Sequence, residues 1–140
     1  MGPALAKSSE AIRILVVDDS EIVRKQLRTF LRGADRSFDV CGEAAAGREA
    51  VVKAKELKPD AIILDFVLPD GDGLAVAREI GAMPQKAAIF MYTMHNSPRL
   101  EHEAHAVGIQ QVVPKPAAST LVLLLRDLAR SKQSQGKPVR

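Results

Sequence analysis

Short blocks that are apolar at nearly every position alternate along this chain with longer blocks whose apolar residues recur every third or fourth position. The first kind reads as strands buried on both faces and the second as amphipathic helices. IRILVV, residues 12–17, is the first strand and ends at Asp18-Asp19; Ser20 then precedes a stripe of Val23, Leu27, Phe30 and Leu31 that Gly33 is expected to stop. FDVCGEA is a second strand, and Ala50, Val51, Ala54 and Leu57 form a second helical stripe ended by Pro59. AIIL, residues 61–64, runs straight into Asp65 and a loop with Pro69, Gly71 and Gly73. A helix with Leu74, Ala77 and Ile80 facing inward follows, and AAIFMYT is a fourth buried strand ending at Thr93. Pro98 sits in the first turn of a helix with Leu100, Ala104 and Val107, which Gly108 ends. IQQVV is a short fifth strand, and Ser119 caps a last helix from Thr120 to about Arg130.

Five strands alternating with five helices through short connections predict an α/β fold with a parallel sheet covered on both faces. Right-handed crossovers place every strand's carboxyl end on one edge of such a sheet. Asp18, Asp19, Asp65, Thr93 and Lys115, spread over most of the chain, are therefore expected at a single rim, where open α/β sheets bind ligands.

At 140 residues and 46% hydrophobic, the chain has apolar content for one domain and one core region. It divides into a disordered extension over residues 1–11, a folded body over 12–130 and a basic tail over 131–140. No apolar run approaches the ~18 residues of a membrane span, and the N-terminus lacks the apolar block of a secretory signal, so a cytoplasmic location without membrane contact is expected. Cys41 has no second cysteine to pair with and reads as an inert buried thiol. The net charge of +3 lies at the end of the chain: from Arg126 onward five basic residues face one acid, while the first 125 residues hold 15 basic and 16 acidic side chains, a net of −1. The body has no excess positive charge to draw nucleic acid.

Three carboxylates at one rim repel one another and call for a compensating cation. A hard divalent ion suits them, and Mg²⁺ accepts a few carboxylate and carbonyl oxygens together with a phosphate oxygen. On like-charge repulsion alone, removing Asp18 or Asp19 is expected to stabilise the metal-free fold. Thr93 offers a hydroxyl and Lys115 a compact positive charge for the remaining oxygens of a phosphoryl group carried on Asp65. Other constellations fail on context. His102 and His105 fall about 140–200° from the Leu100/Ala104/Val107 stripe, on the solvated face, which disfavours a zinc site with His95. Asp70-Gly71-Asp72-Gly73 lacks the later glutamate of a calcium loop and lies too far past the strand end for a haloacid-dehalogenase-type phosphatase, whose second aspartate is replaced here by Val67.

VVDDS at 16–20, LDFVLPDGDGL at 64–74, the strand-end Thr93 and Lys115-Pro116 together resemble the receiver domain of two-component response regulators over residues 12–130. The resemblance implies a flavodoxin-like doubly wound sheet of order 2-1-3-4-5. It implies that Asp65 is the phosphoacceptor and that Asp19, Asp65 and the Val67 carbonyl bind Mg²⁺, with Asp18 acting through a metal-bound water. Thr93 and Lys115 are then expected to contact the phosphoryl oxygens, and the Lys115–Pro116 bond to be cis. The donor implied is a histidine kinase or histidine phosphotransfer protein. The output implied is contact with a downstream protein, or with a second copy, through the face of the fourth helix, fifth strand and fifth helix, where Leu123 is expected to point outward. One departure is Val112, at a position where the family usually carries an aromatic. The chain is accordingly read as a phosphoacceptor switch that turns over no substrate; the alternative is a Mg²⁺-dependent phosphatase or phosphotransferase working through an aspartyl-phosphate. An enzyme of that kind needs a general acid to expel an alkoxide, and none is evident.

Overall fold

The computed structural model describes residues 11–136; the expected N-terminal extension, apart from Ala11, and the last four residues of the basic tail lie outside the described residues. Five strands, β1 (Ile12–Val17), β2 (Phe38–Ala44), β3 (Ala61–Leu64), β4 (Ala88–Thr93) and β5 (Gln111–Pro114), pair in parallel in the order β2-β1-β3-β4-β5. Between and after them come α1 (Glu21–Ala34), α2 (Gly47–Leu57), α3 (Gly73–Gly81), α4 (Pro98–Ala106) and α5 (Ala118–Gly136). The doubly wound order that the resemblance implied is the order observed.

Alternation along the strands divides the core in two. Leu15, Val17, Ile62, Leu64, Ile89 and Met91 pack with α2, α3 and α4 on one face. Ile14, Val16, Ile63, Phe90 and Tyr92 pack with Leu27 and Leu31 of α1 and Leu121 and Leu125 of α5 on the other. The central strands are buried at every position except Arg13 of β1, which is why their sequence shows runs rather than alternation. Most helix starts follow from capping side chains: Ser20, Asp72 and Ser97 accept hydrogen bonds from the backbone N–H of Val23, Ala75 and Leu100.

Several boundaries differ from the sequence reading. α1 continues through Gly33 to Ala34 and ends at Asp35, whose carboxylate accepts from Ser37 and pairs with Arg126 of α5. Phe30, assigned to the α1 stripe, is 43% exposed. α2 ends one residue before Lys58, whose left-handed φ of 50° closes it ahead of Pro59. α5 starts at Ala118 rather than being capped by Ser119, and it extends to Gly136 where a tail was expected from residue 131. Lys132 of that extension donates to the Ala11 carbonyl at 3.0 Å and to Asp60 at 3.1 Å, tying the end of α5 to the amino-terminal edge of the sheet. Cys41 occupies an irregularity where the β1–β2 register skips a residue; it is half-buried rather than buried, its thiol reaches the Ile14 carbonyl, and burial pushes its pKa up. The loop after Asp65 contains a two-residue antiparallel ribbon, Val67–Leu68 with Gly71–Asp72.

Candidate functional site

β1 and β3 are adjacent, so the residues that follow them meet at the carboxyl edge of the sheet. Asp65 follows β3 and donates its backbone N–H to the Val17 carbonyl at 3.0 Å, extending the ladder by one step and fixing its carboxylate beside those of Asp18 and Asp19. One oxygen from each of Asp18, Asp19 and Asp65 lies within 4.8 Å of the others. Asp18 and Asp65 are buried, and Asp19 is exposed. Three hard oxygen donors at this spacing form an acidic group that can hold a metal ion.

The fourth group comes from beyond β5. Lys115 Nζ donates to Asp18 Oδ2 at 2.7 Å and to Asp65 Oδ2 at 3.0 Å. The residue is brought there by its own N–H, which donates to the Thr93 carbonyl at 2.9 Å, and it is followed by a cis bond to Pro116, as the resemblance implied. Burial works against the Lys115 ammonium, but the hydrogen bonds to Asp18 and Asp65 more than offset it, so its pKa is raised above the ordinary lysine value. The carboxylates' other oxygens are held as well: Asp18 Oδ1 accepts from Ser20 N–H at 2.9 Å and Asp65 Oδ1 from Phe66 N–H at 2.7 Å.

Thr93 is fully buried at the end of β4, and its hydroxyl oxygen accepts from His95 N–H at 3.2 Å. Val67, two residues past Asp65, begins the ribbon with its side chain 47% exposed. All the residues assigned to the site from sequence thus lie on strand β4 or in the loops at the carboxyl edge. His95, His102 and His105 are exposed and, among the described residues, are not part of a metal-ligating group.

Four residues support the site without having been assigned to it from sequence. Arg24 donates to the Asp18 carbonyl at 2.8 Å while pairing with Glu43, which also takes Arg28, so the β1–α1 loop is anchored to β2. Gly73 donates to the Phe66 carbonyl at 2.6 Å, and a Cβ there would run into the Asp65 carbonyl, so only glycine lets α3 start this close to the Asp65 backbone. Asp70 reaches across to the start of α2, accepting from Gly47 and Arg48 N–H. Tyr92 lies beneath Lys115, its ring centroid 5.8 Å from the ammonium. Gly73 was legible as a helix start; the pairings of Arg24 with Glu43, Asp70 with Gly47 and Tyr92 with Lys115 span separations that no local pattern encodes.

A doubly wound parallel sheet with an acidic, lysine-closed rim is the architecture of a phosphoacceptor switch. The model of the response regulator receiver domain matches residues 14–126, and the chain belongs to that family. It is 35% identical to the chemotaxis protein CheY of Thermotoga maritima over 104 residues, 74% of this chain and 85% of that one. It is 34% identical to a protein-glutamate methylesterase/protein-glutamine glutaminase of Aliivibrio fischeri, covering 92% of this chain but 37% of the relative, so the chain spans about a third of the length of that enzyme. The response regulator domain of Thermotoga maritima CheB superposes with a TM-score of 0.74 at 28% identity, covering 91% of this chain and 99% of that domain.

Proposed function

We propose that Asp65 accepts a phosphoryl group from a histidine kinase or histidine phosphotransfer protein in a Mg²⁺-dependent reaction, and that the chain signals through the resulting change in protein contacts. The observation that carries this reading is the position of Lys115 Nζ, bonded at once to Asp18 and Asp65 at the rim. An Asp65 oxygen forms a bond to phosphorus as the donor's P–N bond breaks, and Lys115, already within 3.0 Å of that carboxylate, follows the negative charge onto a phosphoryl oxygen. Thr93 supplies its hydroxyl to a second oxygen. Asp19 and Asp65, with the Val67 carbonyl, are the proposed ligands of Mg²⁺, and Asp18 acts through a bound water. When bound, the ion neutralises charge on the carboxylates and the incoming phosphoryl group.

The chain turns over no substrate of its own in this reading. Val67, where a phosphatase would need a proton donor, has a hydrocarbon side chain. The methylesterase activity named for one relative belongs to a protein of which the matched stretch is 37%, and it is not proposed for this site. The proposed output face is α4, β5 and α5, where His102, His105 and Leu123 are exposed. The proposed location is the cytoplasm, with no direct nucleic-acid or membrane contact; among the described residues no helix is long and apolar enough to cross a membrane.

Intact-mass measurement after incubation with Mg²⁺ and acetyl phosphate tests the reading. One labile phosphoryl adduct is expected, absent with EDTA and in Asp65→Asn. Survival of the adduct in Asp65→Asn, or steady hydrolysis of ordinary phosphomonoesters by the wild-type chain, would overturn it.

A further inference from the structure

We propose that Tyr92 is a positioning residue for Lys115, holding the ammonium at the rim from the α1/α5 side of the sheet; the proposal rests on the reading of Lys115 as a phosphoryl contact. Tyr92 precedes Thr93 on β4 and so points to the opposite face from it, into the core shared with α1 and α5, where it is 6% exposed. Its ring centroid lies 5.8 Å from Lys115 Nζ, within the range of cation–π attraction. The ammonium has three N–H donors, and Asp18 and Asp65 take two. The lysine is therefore held by two carboxylates on one side and by an aromatic surface on another.

Burial alone explains an apolar residue at this position, and an aromatic ring adds a face for the ammonium that an aliphatic side chain would not offer. The ring lines a solvent-open cavity of about 400 Å³ that also touches Gln26 and Ser119. The same cavity runs close beneath the rim, because it includes Pro116, the residue after Lys115. A smaller side chain at position 92 would open that space toward the ammonium, giving Lys115 a second, hydrated place to go. With the ring present 5.8 Å from the ammonium, that place is occupied and the amine stays where a phosphoryl oxygen would arrive. The family's usual aromatic is absent at Val112, and in this chain an aromatic ring, Tyr92, lies with its centroid 5.8 Å from the lysine ammonium.

The chain contains one tyrosine and no tryptophan, so its intrinsic emission reports on this ring alone. Three measurements test the proposal. At saturating Mg²⁺, Tyr92→Leu is expected to slow phosphorylation by acetyl phosphate by about threefold to tenfold and Tyr92→Phe by less than about twofold, since Phe keeps the ring face. In a Lys115→Ala background, Tyr92→Leu is expected to add nothing, as for two residues acting through one interaction. In wild type, a beryllium-fluoride mimic of the phosphoryl group is expected to change tyrosine emission, and in Lys115→Ala it should not; this holds even if Tyr92→Leu fails to fold. Equal slowing by Tyr92→Leu with and without Lys115, or an equal emission change in wild type and Lys115→Ala, would overturn the positioning role while leaving the site intact. Wild-type phosphorylation rates in Lys115→Ala would instead overturn the reading of the site on which the proposal rests.

Discussion

The carboxylate of Asp70 closes the amino end of a helix that begins at Gly47, 23 residues earlier: Oδ1 accepts from Gly47 N–H at 2.7 Å and Oδ2 from Arg48 N–H at 2.9 Å. The N-cap residue, Ala46, has no side-chain oxygen, so the cap is supplied in trans by the loop that follows the phosphoacceptor. Gly47 suits the arrangement because a Cβ there would meet Val76 at 2.7 Å and Asp70 Oδ1 at 3.2 Å. One interaction thus ties the Asp65–Gly73 loop to α2.

The two backbone N–H groups, Arg48 first and then Gly47, hold the Asp70 carboxyl below the usual carboxylate range. A folded-state pKa below the unfolded one contributes stability that is present above the unfolded value, about 3.9, and is lost as pH falls through the folded value. Asp70→Ala is therefore expected to lower the melting temperature by a few degrees at pH 7, with Asp70→Asn recovering part of the loss. The difference between wild type and Asp70→Ala should shrink below about pH 4. Melts that differ equally at pH 7 and pH 3 would show that the carboxylate's charge is not what caps α2.

The neighbouring aspartates are expected to behave in opposite ways. Repulsion among three carboxylates suggests that losing either Asp18 or Asp19 should stabilise the metal-free fold, but the geometry separates them. Asp18 is buried with both oxygens engaged, by Ser20 N–H and by Lys115, whereas Asp19 is exposed. Removing Asp18 leaves Lys115 with Asp65 alone. Asp18→Ala should cost about 1.5–3 kcal/mol, the range for hydrogen bonds to charged groups, in thermal melts with EDTA. Asp19→Ala should be neutral or stabilising in the same melts and should weaken Mg²⁺ binding more than Asp18→Ala does. Titration showing the reverse order of Mg²⁺ affinities would remove the proposed division between direct and water-mediated ligands.

A third expectation concerns the output face. Leu123 is 63% exposed on α5 while its neighbours Leu121, Val122 and Leu125 are buried, so it contributes little to the core. If α4, β5 and α5 form the contact surface, Leu123→Glu should weaken self-association or partner binding of the phosphorylated chain by about tenfold or more, since it puts a charge where an apolar anchor would be buried. Phosphorylation itself should be unchanged. Equal association of the two phosphorylated proteins in sedimentation equilibrium, together with equal partner affinity, would move the output surface elsewhere.

Strand identity and the rim were legible in the sequence because each is written in a local signal, whereas the strand order came from the family resemblance: IRILVV, AIIL and AIFMYT are apolar at almost every position except Arg13 and the final Thr93, and a right-handed α/β crossover leaves one edge for Asp18, Asp65, Thr93 and Lys115. The motif residues needed only that edge to become neighbours. Helix ends were less legible. Gly33 reads as a stop, yet the structure there has open space around it, and α1 ends only where Asp35 turns back on Ser37. The extension of α5 to Gly136 is aided by Lys132 finding Ala11 and Asp60, partners more than 70 residues away in sequence. The same holds for what surrounds the acidic rim. That Lys115 compensates Asp18, that Arg24 pairs with Glu43, that Asp70 caps α2 and that Tyr92 underlies Lys115 are contacts between groups distant in sequence, whose strength depends on burial and distance in three dimensions. Periodicity records which face of an element is buried, so it determines the fold; it carries no record of which polar atom across the edge will meet which, and only the packed tertiary structure decides that.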